Sequence, residues 1–288
     1  MPAGGRPTVR SRRLGAVLRR YRQAAKLDQP QAAEVIASSQ ARISRLETGH
    51  VTARVIEVRL LLDAYGVKDP EVRMKLEELA RQPKKRGWWL EYAPHLRSDY
   101  VDHIALEDDA CHIRQWQPVL IPGLLQTPAY AEAVITGGPD TLATEQVARL
   151  VKVRMRRQEK IAEGGARFAA VLWEAVIEHP LASMDIHREQ LASLLDVGKR
   201  ENVTVQVLPF SAGALVAAAS AFAAFSFDAG AAIEAVTMDD LMSSSVLESP
   251  DDLEVYARLF DLLHSAALTP EVSAKLIQSK LRSIEAGV

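Results

Sequence analysis

Residues 27–49 read LDQPQAAEVIASSQARISRLETG, and their pattern decides the fold of the first part of the chain. Asp28 is a strong helix N-cap, and Pro30 falls in a first turn, where a missing amide is tolerated, so a short helix opens here. A second helix starts at Ser39 and is closed by Gly49. In it Ile43 and Leu46 share one face, while Gln40, Ala41, Ser44, Arg45 and Thr48 recur at i, i+3, i+4, i+7 spacing along the other. The outward ridge is short, hydrogen-bonding and cationic. Such a ridge suits the DNA major groove, where Arg chelates guanine and Gln chelates adenine in bidentate fashion. An ordinary helical hairpin with a polar surface is the other reading of the same spacing.

Working outward, Leu14, Val17, Leu18 and Tyr21 mark an amphipathic first helix, with Arg19, Arg20 and Arg22 among them. Residues 54–65 supply a closing helix ended by Gly66, which gives a five-helix domain over residues 10–68. Residues 1–9 are Pro/Gly/Arg-rich and read as a disordered basic arm. Arg6, Arg10, Arg12 and Arg13 could follow phosphates or enter a minor groove, and a solvated tail is the plainer alternative. After Pro70 another helix runs into Gln82-Pro83-Lys84-Lys85-Arg86-Gly87, so residues 69–87 read as a connecting helix and basic linker.

The 27–49 segment resembles the helix-turn-helix of the Xre family, the lambda-repressor-like regulators. The residues that carry the likeness are Leu27, Asp28, Gln29, Ala32, Ala33, Ser39, Ile43, Ser44, Arg45, Leu46, Glu47 and Gly49. Where that family has a glycine in the turn this chain has Ala37, followed by Ser38 in place of an apolar residue. An alanine held at positive φ costs about 1 kcal/mol. The resemblance implies that Gln29 meets phosphate or a base at its helix start, and that Arg22 pairs with Glu47 to set one helix on another. The expected DNA-contacting set is therefore Gln29, Ser39, Gln40, Ala41, Arg42, Ser44, Arg45 and Thr48, with Gln29 and Arg42 holding the backbone while the ridge reads bases.

The chain has 288 residues, room for two domains, and its net charge of −2 hides an asymmetry. Residues 1–86 carry 19 Lys/Arg against 9 Asp/Glu, a net of +10; residues 87–288 carry 16 against 28, a net of −12. A basic head can bind DNA through phosphate contacts, and an acidic body is repelled by it. The single Cys111 excludes a disulfide framework and points to a reducing cytoplasm. MPAGGRPTVRSRR has no apolar core of a secretory signal, and the longest uncharged run, residues 202–227, is broken by Pro209 and Gly213, so neither export nor a membrane span is expected.

Residues 88–288 read as a mixed domain, α+β or α/β, with a small sheet of about four strands and several helices. A helix is expected over 96–113, a broken path through Pro118, Pro122 and Pro128 into a short helix, and a long basic helix over 141–162. Its Arg149, Lys152, Arg154, Arg156, Arg157 and Lys160 are read as pointing away from the core, either towards an anionic effector or acidic partner or into solvent. Strands are expected at 168–177, 203–208, 221–227 and 232–237, the last two joined at Asp228-Ala229-Gly230, with helices at 186–199, 250–267 and from Pro270.

The chemical motifs are sparse. GxxxxGK[ST], GxSxG and HExxH are absent, which removes the familiar nucleotide, hydrolase and zinc-protease readings, and no cofactor is expected. Cys111, His112 and nearby His103 lack a fourth convergent ligand, so Cys111 is read as a buried small hydrophobe and no metal is assigned. Trp88, Trp89, Trp116 and Trp173 either pack a core or line a small-molecule pocket.

ALEDDACHIRQWQPVLIPGLLQTPAYAEA, VTVQVLPFSAGA and VLESPDDLEVYARLFDLL resemble the antitoxin-like domain that follows the Xre module in actinobacterial regulators, the WhiJ-like or Scr-type proteins. That resemblance implies a non-enzymatic cytoplasmic transcriptional regulator of double-stranded DNA. It would act as a homodimer, together with a small partner protein encoded nearby. Alternatives are an interaction protein that sequesters such a partner and only autoregulates, and a one-component sensor of a small-molecule effector.

Overall fold

The computed structural model describes residues 9–81, 87–138, 141–218, 220–227, 232–239 and 244–286. Residues 1–8 of the expected arm, the 82–86 linker and the 228–230 turn lie outside these residues, whereas Arg10, Arg12 and Arg13 lie in the first helix rather than in an arm. The chain divides into two compact units, Met1–Leu90 and Glu91–Val288. No helix of the described residues is long and apolar enough to cross a membrane.

Among the described residues the first unit holds five α-helices: α1 (Val9–Ala24), α2 (Gln29–Val35), α3 (Gln40–Glu47), α4 (Val55–Ala64) and α5 (Pro70–Arg81). Asp28 caps α2 through a reciprocal box, its carboxylate accepting from Gln31 N while the Gln31 side chain accepts from Asp28 N. Ser39 is the N-cap of α3, its hydroxyl accepting from Arg42 N at 3.3 Å. Between them Ala37 stands at φ 49°, so the turn keeps its left-handed residue although the side chain is alanine. Leu14, Leu18, Ala32, Ala33, Ile36, Ile43, Leu46, Val58, Leu61 and Leu62 form the core. Burial of each large aliphatic side chain among them is worth about 1.5–3 kcal/mol. Gly15 lets α1 and α3 approach closely, since a Cβ there would lie 2.3 Å from Leu46 O.

The five expected helices are present but reach further along the chain than residue 68. Only four helices precede residue 68, and the fifth is α5, in the segment read as a connection. Its Leu76 and Ala80 are buried in the same core as Leu14 and Ile43. The chain passes from the first compact unit to the second after Leu90, within a 3₁₀ turn over Trp88–Glu91.

The second unit is built on a six-stranded mixed sheet, two strands more than expected. Its strands are β1 (His112–Gln117), β2 (Arg167–Trp173), β3 (Val203–Leu208), β4 (Phe222–Ser226), β5 (Ala235–Asp239) and β6 (Ser244–Leu247). They lie in the order β3-β2-β1-β4-β5-β6. The β1–β2 and β2–β3 pairs are parallel, and β4, β5 and β6 continue antiparallel. The helices are α6 (Ser98–Asp109), α7 (Pro128–Thr136), α8 (Thr144–Arg157), α9 (Glu174–Glu178), α10 (Met184–Val197), α11 (Pro250–Ala266) and α12 (Pro270–Glu285). Trp116, Val171, Leu208, Phe222, Ala224 and Val236 form one cluster with Phe260 and Leu263 of α11. The outer edge of β3 is capped: Val207 O accepts from Leu268 N at 2.8 Å and Val207 N donates to Ser273 Oγ at 2.9 Å.

Several local expectations fail for identifiable reasons. The helix read as running to Ile113 stops at Asp109, and His112–Gln117 becomes a central strand. There Arg114 donates to Ser226 Oγ on β4 at 2.9 Å, a polar partner brought alongside by the neighbouring strand. The strand read to Ile177 ends at Trp173, because residues 174–178 turn into α9. Cys111 is exposed at the bend before β1 rather than buried.

Candidate nucleic-acid interface

On α3 the physical division is between a buried inner face and an exposed outer one. Ile43 and Leu46 are 1% and 3% exposed, whereas Gln40, Ala41, Arg45 and Thr48 are exposed and Ser44 is half-buried. The outer residues are partly ordered by the helix itself. Arg45 Nε donates to Ala41 O at 3.2 Å and the Thr48 hydroxyl to Ser44 O at 2.8 Å. His50, just past the helix end, lies 3.0 Å from Thr48 Oγ1 through Nδ1 and is also exposed.

Glu47 anchors α3 from below. Arg22 of α1 donates to it twice, Nε to Oε1 at 2.6 Å and Nη2 to Oε2 at 3.0 Å, and both side chains are buried. Arg22 Nη1 also donates to Leu27 O at 2.8 Å, which ties the chain before α2 to the same pair. Gln29 Nε2 donates to Glu47 Oε2 at 3.0 Å. The helix-helix turn is thus held at three points by one carboxylate. Its hydrogen bond to Arg22 raises that guanidinium further above its ordinary range, and burial with the Glu47 charge nearby pushes the Tyr65 phenol up to about 12.

Arg42, expected on phosphate, is engaged from the other side. Its Nε and Nη2 donate to Glu57 of α4 at 3.1 and 3.0 Å. Arg54 adds its backbone N at 2.7 Å and its Nη2 at 3.0 Å to the same carboxylate. Burial alone would raise the Glu57 carboxyl, but these hydrogen bonds outweigh it and hold it at about 2. Of the eight expected contact residues, Gln40, Ala41, Ser44, Arg45 and Thr48 form one outward ridge, Ser39 is the N-cap, and Gln29 and Arg42 are bonded to buried carboxylates. Sequence reasoning missed Glu57, although Arg54-x-x-Glu57 at a helix start is the spacing of a capping box.

In the second unit the cationic helix α8 differs from the reading of it. Arg157 is buried, donating Nε and Nη2 to Glu107 of α6 at 2.8 and 2.7 Å and Nη1 to the Tyr100 hydroxyl at 2.7 Å. Its Nη2 also lies 3.1 Å from His103 Nε2, and His103 Nδ1 lies 3.0 Å from Thr237 Oγ1. Arg154 donates to Gln126 Oε1 and Lys160 to Asp108 O, so three of the six cations serve the unit's own packing. Trp116 is fully buried in the sheet core, and the Trp173 ring meets Phe210 edge-on at 5.7 Å. Among the described residues no three His, Cys, Asp or Glu side chains are grouped to hold a metal ion.

Comparison with known families adds two matches. Residues 13–75 match a helix-turn-helix domain, and residues 100–279 match a domain of unknown function, DUF5753. No curated protein and no solved structure matches the chain.

Proposed function

The chain belongs to the DUF5753 family, here with a helix-turn-helix domain ahead of the family domain, and on that footing we propose that it is a sequence-specific DNA-binding transcriptional regulator. The observation that carries the reading is the α3 ridge: Gln40, Ala41, Arg45 and Thr48 are exposed while Ile43, Leu46 and Glu47 fix the helix from beneath. In this reading Gln40, Ala41, Ser44 and Arg45 read base edges in the major groove of double-stranded DNA, with Thr48 at the far end of the ridge. Its likeness to the Xre regulators supports the same docking.

We further infer a cytoplasmic homodimer whose half-sites lie about 34 Å apart or a multiple of it. The acidic second unit then serves regulation rather than DNA contact, through a small partner protein or an effector. Its support is the net charge of −12 over residues 87–288 and the WhiJ-like resemblance. In vitro site selection with the full chain, followed by gel shifts on the selected duplex, tests the reading. Arg45→Ala should lose about 1–3 kcal/mol of affinity and relax one base position. Unchanged affinity and preference would remove α3 from the interface.

A further inference from the structure

The Glu57 carboxylate is the least exposed charged group beside the ridge, and four donors converge on it. They are Nε and Nη2 of Arg42, and the backbone N and Nη2 of Arg54, all within 3.1 Å. The Glu57 side chain is 2% exposed, against 26% for Arg42 and 72% for Arg54. Arg42 stands three residues before Arg45 on α3, so the two are neighbours on the helix surface. Arg54 is the N-cap of α4. Both guanidinium groups are therefore tied to one carboxylate, Arg42 half-buried beside the ridge and Arg54 from the exposed start of α4.

A guanidinium beside a recognition helix ordinarily meets phosphate, and such a contact strengthens binding to every sequence alike. We propose that Glu57 is a positioning residue that withholds Arg42 and Arg54 from the phosphate backbone, and so limits how tightly the domain holds non-specific duplex. The proposal rests on the DNA-binding reading above. The region 1–86 already carries a net charge of +10, so attraction to DNA is not what it lacks. A genome offers non-specific sites in vast excess, and restraint on general affinity leaves more protein to find its operator. The depressed carboxyl of Glu57 means that the restraint stands throughout the neutral range.

The test uses the full chain and a random-sequence duplex, with affinity measured between 50 and 200 mM salt. Glu57→Gln keeps an acceptor for Arg54 N but removes the charge that holds the two guanidinium groups. It should bind the random duplex about three- to tenfold more tightly, with log K against log salt steeper by about 0.9 for each group released. Arg42→Met in the native background should leave the slope unchanged, because that side chain is already withheld. The double variant should return about half of the gain. An unchanged slope in Glu57→Gln would overturn the proposal. So would a slope shallower by about 0.9 in Arg42→Met, a measurement that stands even if Glu57→Gln fails to fold. If the native chain binds neither random duplex nor any selected one, the DNA-binding reading itself falls. If it binds and only the slopes disagree, this restraint alone falls.

Discussion

Helices α3 and α8 look alike in sequence, with two and four arginines respectively beside an apolar face, yet they use those cations in opposite ways. On α3 the outward Arg45 has no charged partner among the described contacts and bonds only to its own helix at Ala41 O. On α8 the terminal Arg157 is 6% exposed and fully committed to Glu107 and Tyr100. The difference lies in what faces each helix. The underside of α3 is occupied by Glu47 and Glu57, which capture Arg22 and Arg42 and leave Arg45 outside. Opposite α8 stands α6, whose Glu107 can be ionised in the interior only if an arginine comes in with it. A cation is available to a ligand where the fold has no buried acid to satisfy with it.

The most forceful way to break this contrast is Arg157→Met. Removing one partner of a buried pair strands the other, so the second unit should lose about 3–5 kcal/mol, read as faster hydrogen exchange in β1 and β2. DNA affinity should be untouched. A loss below about 1 kcal/mol would mean that the pair is not buried as described.

Acid sharpens the same point. Burial pushes the Glu107 carboxyl up, but Arg157 and His103 outweigh it and hold it at about 2, below the ordinary 4.5. A depressed carboxyl contributes stability that is complete above pH 4.5 and disappears as the pH falls from there through about 2. The native unit should therefore weaken in that window. In Arg157→Met, burial without the arginine raises the carboxyl instead, so lowering the pH should relieve the defect. Exchange rates measured at pH 5, 4 and 3 would show the opposite trends, and parallel trends would refute the assignment.

Arg45→Ala is the converse experiment and the next in size. Its cost of about 1–3 kcal/mol should appear in operator affinity, while folding stability moves by no more than about 0.5 kcal/mol. Thermal melts and gel shifts on the same preparation separate the two. A variant that melted early and bound normally would place Arg45 in the same class as Arg157.

How far each helix could be read in advance follows from where its partners lie in the chain. The ridge from Gln40 to Thr48 is set by spacing within nine residues, by the N-cap Ser39 and by Gly49 at φ 75° just past the C-cap Thr48, all local signals. The Arg22–Glu47 pair spans 25 residues and came from a family pattern rather than from periodicity. Arg157 meets Glu107 across 50 residues, and nothing in the local pattern of α8 separates it from Arg156, which pairs with Glu159 at the surface. Strand β1 was hidden for a related reason. Its polar Arg114 and Gln115 argue against a central strand until β4 brings Ser226 alongside. In α5 the apolar positions were visible, but whether they completed the first core or bridged to the next unit depended on contacts with α1 and α4.

The smallest expected effect concerns the turn that aims α3. Ala37 sits at φ 49°, a conformation that costs an L-residue about 1–2 kcal/mol and glycine almost nothing. Glycine also gives the unfolded chain more freedom, which offsets about 0.4–1 kcal/mol of that relief. Ala37→Gly should therefore stabilise the first unit by about 0.5 kcal/mol, raising its urea midpoint slightly. Ala37 is exposed, so no packing is lost with its methyl group. Because Ser38 N still bonds to Ala33 O, the angle between α2 and α3 should stay and operator affinity should not change. A lower midpoint would show that alanine is not strained at this position. Weaker binding with a higher midpoint would mean that the stiffness of alanine, rather than its strain, keeps the ridge aimed at the groove.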